Sequence, residues 1–231
     1  MTARGQFARI SRMTVESMSQ IVENIQSVYT IILALAVAEA FNQAIKENKP
    51  HEEKPATTLA NWFDCIHHSR FVSLVVFLLL VIPFFQGNQK YLFLQYIEPL
   101  HGLNPPKIIK ALWLNFDCTI FTLEAGLFFV MARSLSAQRW QQFYAAIIVL
   151  LILDFFWALI ERSRDAAIPR EWLWYDMIMA LIFAAIIAVD WFLINYKRDK
   201  DLNHLCYWAA SIVAILSLLY GYIYQIDYLI D

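Results

Sequence analysis

Six apolar stretches of membrane-span length constrain the fold of this 231-residue chain more than any other feature. They cover residues 21–45, 71–85, 111–131, 140–160, 172–196 and 205–226. A helix needs about 20 apolar residues to cross roughly 30 Å of hydrocarbon, so the second stretch is short unless its helix starts earlier. The pattern predicts an all-α integral membrane protein, a bundle of about six transmembrane helices without a sizeable soluble domain.

The composition excludes an ordinary soluble domain. Of the residues, 60% are hydrophobic and 16% are charged, whereas soluble domains carry about 25% charged residues. We therefore expect the lipid bilayer as a partner and the cell (inner) membrane as the location. The net charge of −2, without a basic stripe, excludes nucleic acid as a partner. Three cysteines form no disulfide framework.

The chain begins with a polar segment before the first span. Residues 1–20 interleave arginines with apolar side chains, which is typical of a short amphipathic segment lying on a membrane surface. The small residues 36–38 resemble a signal-peptide cleavage site. Glu16 and Glu23 precede them and make a poor signal peptide, so we expect no cleavage there.

Two connections are long: residues 46–70, which are polar, and residues 87–110, whose apolar core is too short to cross the bilayer. The latter segment is a helix extension, an interfacial helix or a re-entrant segment, and Pro83 just before it predicts a kink. Residues 227–231 form a short tail. Six spans place both termini on one side, called side A here, and the connections after spans one, three and five on side B. Lys and Arg divide nine against nine between the sides, so orientation stays undetermined.

The clearest functional signal is an asymmetry of charge. All 18 Lys and Arg lie outside the spans or at their borders, whereas seven acids lie within them. Acids at successive depths suit a cation or proton pathway, because carboxylate oxygens can replace water around a cation. The predicted pathway residues are Glu124, Glu39, Asp154, Asp190, Asp117 and Asp176.

Glu124 is the strongest of these candidates. It lies near the middle of the third span, seven residues after Asp117, so both acids share one helical face about 10.5 Å apart along the axis. The alternative interpretation is structural. Glu23, Asp117 and Asp176 would then be helix-start caps. Asp154 and Asp190 would reach back towards the polar border or bond Tyr, Trp and Ser side chains of a neighbouring helix.

Two further groups of residues have recognisable patterns. A small-residue face on the first span predicts helix packing within or between subunits, and with it a homo-oligomer. This packing face comprises Ser27, Thr30, Ala34 and Ala38. His, Cys and carboxylate side chains at side B are suitable zinc ligands, although no spaced metal motif accompanies them. These candidate ligands are Asp64, His67, His68, His204 and Cys206.

The pattern as a whole favours a cation channel or a small-solute or ion transport subunit with acidic residues lining the path. The alternative is a non-catalytic membrane-embedded sensor, scaffold or effector subunit acting with a separately encoded partner, for example in bacterial stress or antiviral defence. No soluble catalytic motif is present, so we expect no enzyme; an intramembrane enzyme using the side B histidines is a weaker option. No cofactor is expected, since no histidine lies inside a span to ligate haem.

Overall fold

The computed structural model describes residues 3–46, 68–97, 107–135, 139–164, 170–197 and 200–230. Every regular element within these ranges is helical. The helices are α1 (Ala3–Lys46), α2 (His68–Leu92), α3 (Lys107–Arg133), α4 (Trp140–Ser163), α5 (Arg170–Lys197) and α6 (Lys200–Ile230). Six helical segments are long and apolar enough to cross a membrane, so the predicted all-helical, six-segment architecture is confirmed within the described residues.

The described helices are longer than the apolar stretches that predicted them. α1 continues without a break from the N-terminal segment into the first span, and the membrane-surface position of residues 1–20 stays a prediction. α2 continues through Pro83 and ends in a π-helical turn at Phe93–Ile97. The segment after residue 87 is therefore a helix extension as far as Ile97, which gives the second span its full length. The kink at Pro83 stays a prediction.

The six helices pack as a closed ring. α1 packs against α3, α3 against α4, α4 against α5 and α5 against α6. α6 then packs against α2, and α2 returns to α1. Successive helices run in alternate directions. The side A halves of four helices therefore lie together: α2, α3, α4 and α5. The acidic side chains of α3, α4 and α5 thus meet the polar side chains of α2.

The small-residue face of α1 does not pack within the chain. Ser27, Thr30, Ala34 and Ala38 are all exposed, whereas the opposite face buries Val22, Tyr29, Leu33, Ala36 and Ala40. Ser27 and Thr30 bond the carbonyl groups of Glu23 and Gln26 on their own helix. The prediction is therefore wrong for packing within the subunit. The opposite face, which carries Tyr29 and both small and larger apolar side chains, makes the contact instead, and packing between subunits stays a prediction.

Candidate functional site

Five of the six predicted pathway acids are almost completely buried, with exposed fractions of 1% or less: Asp117, Glu124, Asp154, Asp176 and Asp190. Glu39 differs because it is only partly buried. Its carboxylate accepts hydrogen bonds from Gln43 (2.7 Å) and Asn42 (3.3 Å) on the same helix. Glu39 therefore belongs to a polar patch of α1, and the structure does not place it among the other acids.

Glu124, Asp154 and Asp176 form a group that we call the central carboxyl cluster. α3, α4 and α5 contribute one acid each. Asp176 interacts electrostatically with both other acids, and Glu124 interacts with Asp154. The contributing stretches 111–131, 140–160 and 172–196 contain no Lys or Arg, so these helices supply no cation to the cluster from within their spans.

Asp154 of α4 and Asp176 of α5 are close neighbours, and their carboxyl groups interact electrostatically. The indole of Trp172 donates to Asp154 Oδ2 at 2.5 Å. Within the described residues, neither oxygen of Asp176 has a hydrogen-bond partner. Two carboxyl groups so close together do not both ionise readily, so the pair is suited to binding a proton or a cation.

Glu124 has one bonded and one free oxygen. Asn88 Nδ2 on α2 donates to Glu124 Oε2 at 2.8 Å and to Tyr29 Oη of α1 at 3.1 Å. Glu124 Oε1 is buried and has no hydrogen-bond partner in the described part of the chain. A buried carboxyl group with an unsatisfied oxygen is costly unless it binds a proton or a cation.

Asp117 and Glu161 belong to a second group closer to side A. This tyrosine–arginine cluster comprises Asp117, Glu161, Arg164, Tyr91 and Tyr96. Asp117 Oδ2 accepts hydrogen bonds from the hydroxyl groups of Tyr96 and, at 3.3 Å, Tyr91. Its other oxygen accepts from the Trp157 indole at 3.0 Å. The Tyr91 hydroxyl also donates to Glu161, so it bridges the two acids. Tyr96 lies in the π-helical turn that ends α2.

Arg164 supplies the positive charge of this cluster. It lies one residue beyond α4, donates to Glu161, and approaches Asp117 Oδ2 at 3.9 Å. Its guanidinium also lies 3.9 Å from the centre of the Trp113 ring, a cation–π contact. Partial burial lowers the pKa of Arg164 and the Glu161 carboxylate raises it; the net direction is upward, so the guanidinium stays charged.

Three aromatic rings pack between the two clusters. Phe121 is buried and lies between Asp117 and Glu124 on the same face of α3. Its ring centroid is 5.4 Å from Trp157 and 6.1 Å from Tyr91, and those two rings are 4.7 Å apart. Asp117 and Glu124 therefore share one face of α3, as the sequence predicted, but their side chains lie in different environments.

Asp190 lies apart from both clusters, towards side B. Its carboxylate accepts a hydrogen bond from Gln141 of α4, and the Cys206 thiol of α6 lies close enough to interact with it electrostatically. Its Oδ1 atom has no partner among the described residues. The buried acids therefore occupy three levels along the bundle: Asp190, the central carboxyl cluster, and the tyrosine–arginine cluster.

A cavity of about 980 Å³ lies between α2, α4, α5 and α6 in the side A half of the bundle. Its lining is mostly apolar and rich in aromatic rings. Asn88 and Asp154 from the central region line it, as do Tyr91 and Trp157 from the region of the second cluster. Glu171, at the exposed start of α5, is a further acidic lining residue. The cavity therefore reaches the surroundings of both clusters.

The helix-cap interpretation of two acids is wrong. α3 begins at Lys107, ten residues before Asp117, and α5 begins at Arg170, six residues before Asp176. Neither side chain lies at a helix start, so neither can bond the unpaired N–H groups there. The alternative interpretation of Asp154 is confirmed, since it accepts from a tryptophan of a neighbouring helix.

The metal-site prediction falls mostly outside the described side chains. This is the case for Asp64, His67, His68 and His204. Cys206 is described, and its neighbour is Asp190 rather than another predicted ligand. The described residues contain no group of three or more His, Cys, Asp or Glu side chains placed to hold a metal ion. The zinc site stays a prediction.

Sequence reasoning missed Glu161 and Arg164, which lie where a polar connection was expected. The available signal was spacing: Glu161 follows Asp154 by seven residues, as Glu124 follows Asp117, and so shares its helical face. The donors Tyr91, Tyr96 and Asn88 gave no comparable signal, because their contacts cross between helices.

No protein-family model, curated protein or solved structure matches this chain. The class of protein is therefore defined by its fold and its buried acids. Its described regular elements are all helical, and six of its helical segments are long and apolar enough to cross a membrane. Buried acids lie at three levels along these helices.

Proposed function

We propose that this chain is an integral membrane protein that transports protons or small cations through the central carboxyl cluster. The observation that carries the proposal is the group of three adjacent buried acids, Glu124, Asp154 and Asp176, in stretches that contain no Lys or Arg. Acids within membrane spans are expensive and mark ion or proton pathways when they face a bundle interior. Such a group can bind a proton and exchange it for another cation.

The packing between the clusters favours a transporter over an open channel. Phe121, Tyr91 and Trp157 fill the space along α3 between Asp117 and Glu124. An ion moving between the two levels would have to displace these rings, which calls for a conformational step. Protons could instead move by exchange between adjacent carboxyl and hydroxyl groups, and Tyr91 bridges two acids beside this barrier.

Reconstituted vesicles test the proposal directly. The purified protein is placed in liposomes that contain a pH-sensitive dye, and proton entry is driven by a potassium diffusion potential. We expect the wild-type protein to acidify the lumen faster than protein-free vesicles do. Glu124→Gln and Asp176→Asn should reduce the rate to the protein-free level, because neither amide carries an exchangeable acidic proton.

Glu23→Gln is the matched control, because Glu23 is exposed on α1 and accepts only a local bond from Ser19. It should transport like the wild-type protein. Vesicles that stay tight to protons and to sodium or potassium ions would overturn the proposal and favour a sensing or scaffolding subunit. Unchanged flux in both cluster variants would equally refute the assigned pathway.

A further inference from the structure

The cavity is far larger than proton or ion transport requires. Its volume of about 980 Å³ lies at the upper end of the range of about 300–1,000 Å³ that is usual for small-molecule sites. Four helices contribute to it, and its polar lining is restricted to a few side chains. An apolar pocket with a small number of placed polar groups is the usual form of a site for an organic molecule.

The walls of the cavity are suited to a cation that has an apolar body. Phe84, Trp172, Trp174, Tyr175 and Tyr220 line it. The faces of such rings carry partial negative charge and attract organic cations, most strongly where water is excluded. Among the described residues, no Lys or Arg lines the cavity, whereas two acids do. A ligand with a negative charge would find no positive charge on the described part of these walls.

Asp154 is the buried acid of the cavity lining. It is only 1% exposed, and Asn88, which also lines the cavity, lies beside Glu124. Glu171 is exposed at the start of α5. The cavity lining thus combines one buried acid and one exposed acid with several aromatic rings.

The outer rim consists of apolar residues on the exposed faces of α5 and α6. Trp174, Ile178, Leu216 and Tyr220 line the cavity and are themselves exposed. In a bilayer these faces would contact lipid, so a ligand could enter from the hydrocarbon region between α5 and α6. A molecule that follows this route needs an apolar body.

We propose that this cavity binds a monovalent organic cation with an aromatic or apolar body, and that Asp154 pairs with its charge. This proposal rests on the proposed transport function, since it names the class of solute that the pathway would carry. The binding itself is tested separately, because it is measured without transport. A cation seated at Asp154 would pair with its carboxylate in place of a proton, and a proton displaced in this way would pass to water.

Two isosteric probes of opposite charge test this inference. Tetraphenylphosphonium and tetraphenylborate have nearly the same size and shape, so a difference between them reports charge. Binding to the full-length protein in nanodiscs is followed by quenching of tryptophan fluorescence, with empty nanodiscs as the blank. We expect saturable binding of tetraphenylphosphonium and none of tetraphenylborate. Asp154→Asn should weaken cation binding by about thirtyfold or more, as loss of one partner of a buried charge pair does.

A pair of glycine variants covers the case in which Asp154→Asn fails to fold. A Cβ atom added at Gly87 or at Gly126 would meet no other atom within 4 Å. Gly87 lines the cavity, whereas Gly126 lies on the exposed face of α3. Gly87→Leu should narrow the cavity and weaken tetraphenylphosphonium binding, and Gly126→Leu should leave it unchanged.

Equal binding of the two probes would overturn the inference and indicate an apolar pocket for lipid. Absence of saturable cation binding to the wild-type protein, or unchanged binding in both Asp154→Asn and Gly87→Leu, would also overturn it. Proton flux without cation binding would refute this inference alone, and cation binding without flux would refute the proposed transport alone.

Discussion

Asp154 of α4 and Asp176 of α5 lie next to each other in the interior, and both are only 1% exposed. The Trp172 indole donates to Asp154, whereas neither oxygen of Asp176 has a hydrogen-bond partner within the described residues. Their unequal surroundings mean that the two acids are not interchangeable. Asp154 is fixed by an indole and lines the cavity, and Asp176 is a buried acid with both oxygens unsatisfied.

Asp176→Asn should stabilise the protein while removing transport. An asparagine amide donates to Asp154 without needing a proton, so the variant avoids burying two acids together. We expect a gain of about 1.5–3 kcal/mol in the free energy of unfolding, the usual contribution of a hydrogen bond to a charged group. Thermal unfolding of the detergent-solubilised protein at neutral pH measures it. At acidic pH the wild-type pair binds its own proton, so the difference should shrink.

Asp190→Asn is the matched control for that substitution. Asp190 is equally buried, but it already accepts a hydrogen bond from Gln141. Its replacement should give no comparable gain. If both variants shift the unfolding temperature by the same amount and in the same direction, the special role of the carboxyl pair is refuted.

Arg164→Gln should destabilise the side A end of the bundle. Glu161 is fully buried and would lose its cation, whereas the Arg164 side chain is 15% exposed. Breaking a fully buried pair costs about 3–5 kcal/mol, and partial exposure of the guanidinium reduces the expected cost to about 1–3 kcal/mol. The unfolding temperature of the purified variant reports the loss.

A second substitution identifies the cause of that loss. Glu161→Gln in the Arg164→Gln background removes the stranded charge, so it should recover most of the stability. Arg162→Gln, two residues earlier at the end of α4, serves as the control for charge alone and should change little. A double variant no more stable than Arg164→Gln would show that the ion pair is not the source of the effect.

Asn88→Ala should destabilise the contact between α1, α2 and α3. Asn88 donates to both Glu124 and Tyr29, and without it Glu124 has no described donor. We expect a loss of about 1–3 kcal/mol, the cost of leaving a buried polar group unsatisfied. In a Glu124→Gln background the loss should be smaller, because a neutral amide is less costly to bury. Asn115→Ala, at an exposed position on α3, is the control, and an equal effect at both sites would contradict the bridging role.

The sequence predicted the architecture better than the site, for a physical reason. Each of the six long helical segments reveals itself through its local apolar length, and Glu124 lies near the middle of the third. The pairing of Asp154 with Asp176 depends on the rotation of two helices about their axes, which a single sequence does not determine. Arg164 was missed because its reach from beyond α4 depends on where that helix ends.

The same limit explains the error on α1, where small residues were expected at the packing surface. Ala36 is fully buried and Ala34 is exposed, although they lie two residues apart. Spacing identified a face of small side chains but could not show which face meets the neighbouring helices. Tyr29, which packs against Phe85 and Phe121, fixes the rotation of α1 instead.

Phenylalanine substitutions at these two alanines test the orientation of α1. Ala36→Phe forces a large ring into a packed interface, and such overpacking typically costs about 1–3 kcal/mol. Ala34→Phe adds the same ring to an exposed face and should stay within about 0.5 kcal/mol of the wild-type stability. Thermal unfolding measures the stability of both variants, and light scattering in detergent measures their mass. Together they separate an effect on packing within the subunit from an effect on assembly between subunits. A stable Ala34→Phe variant with unchanged mass supports the observed orientation. Loss of an oligomer in that variant would show that the small-residue face joins subunits, and a greater loss of stability at Ala34 than at Ala36 would contradict the packing of α1.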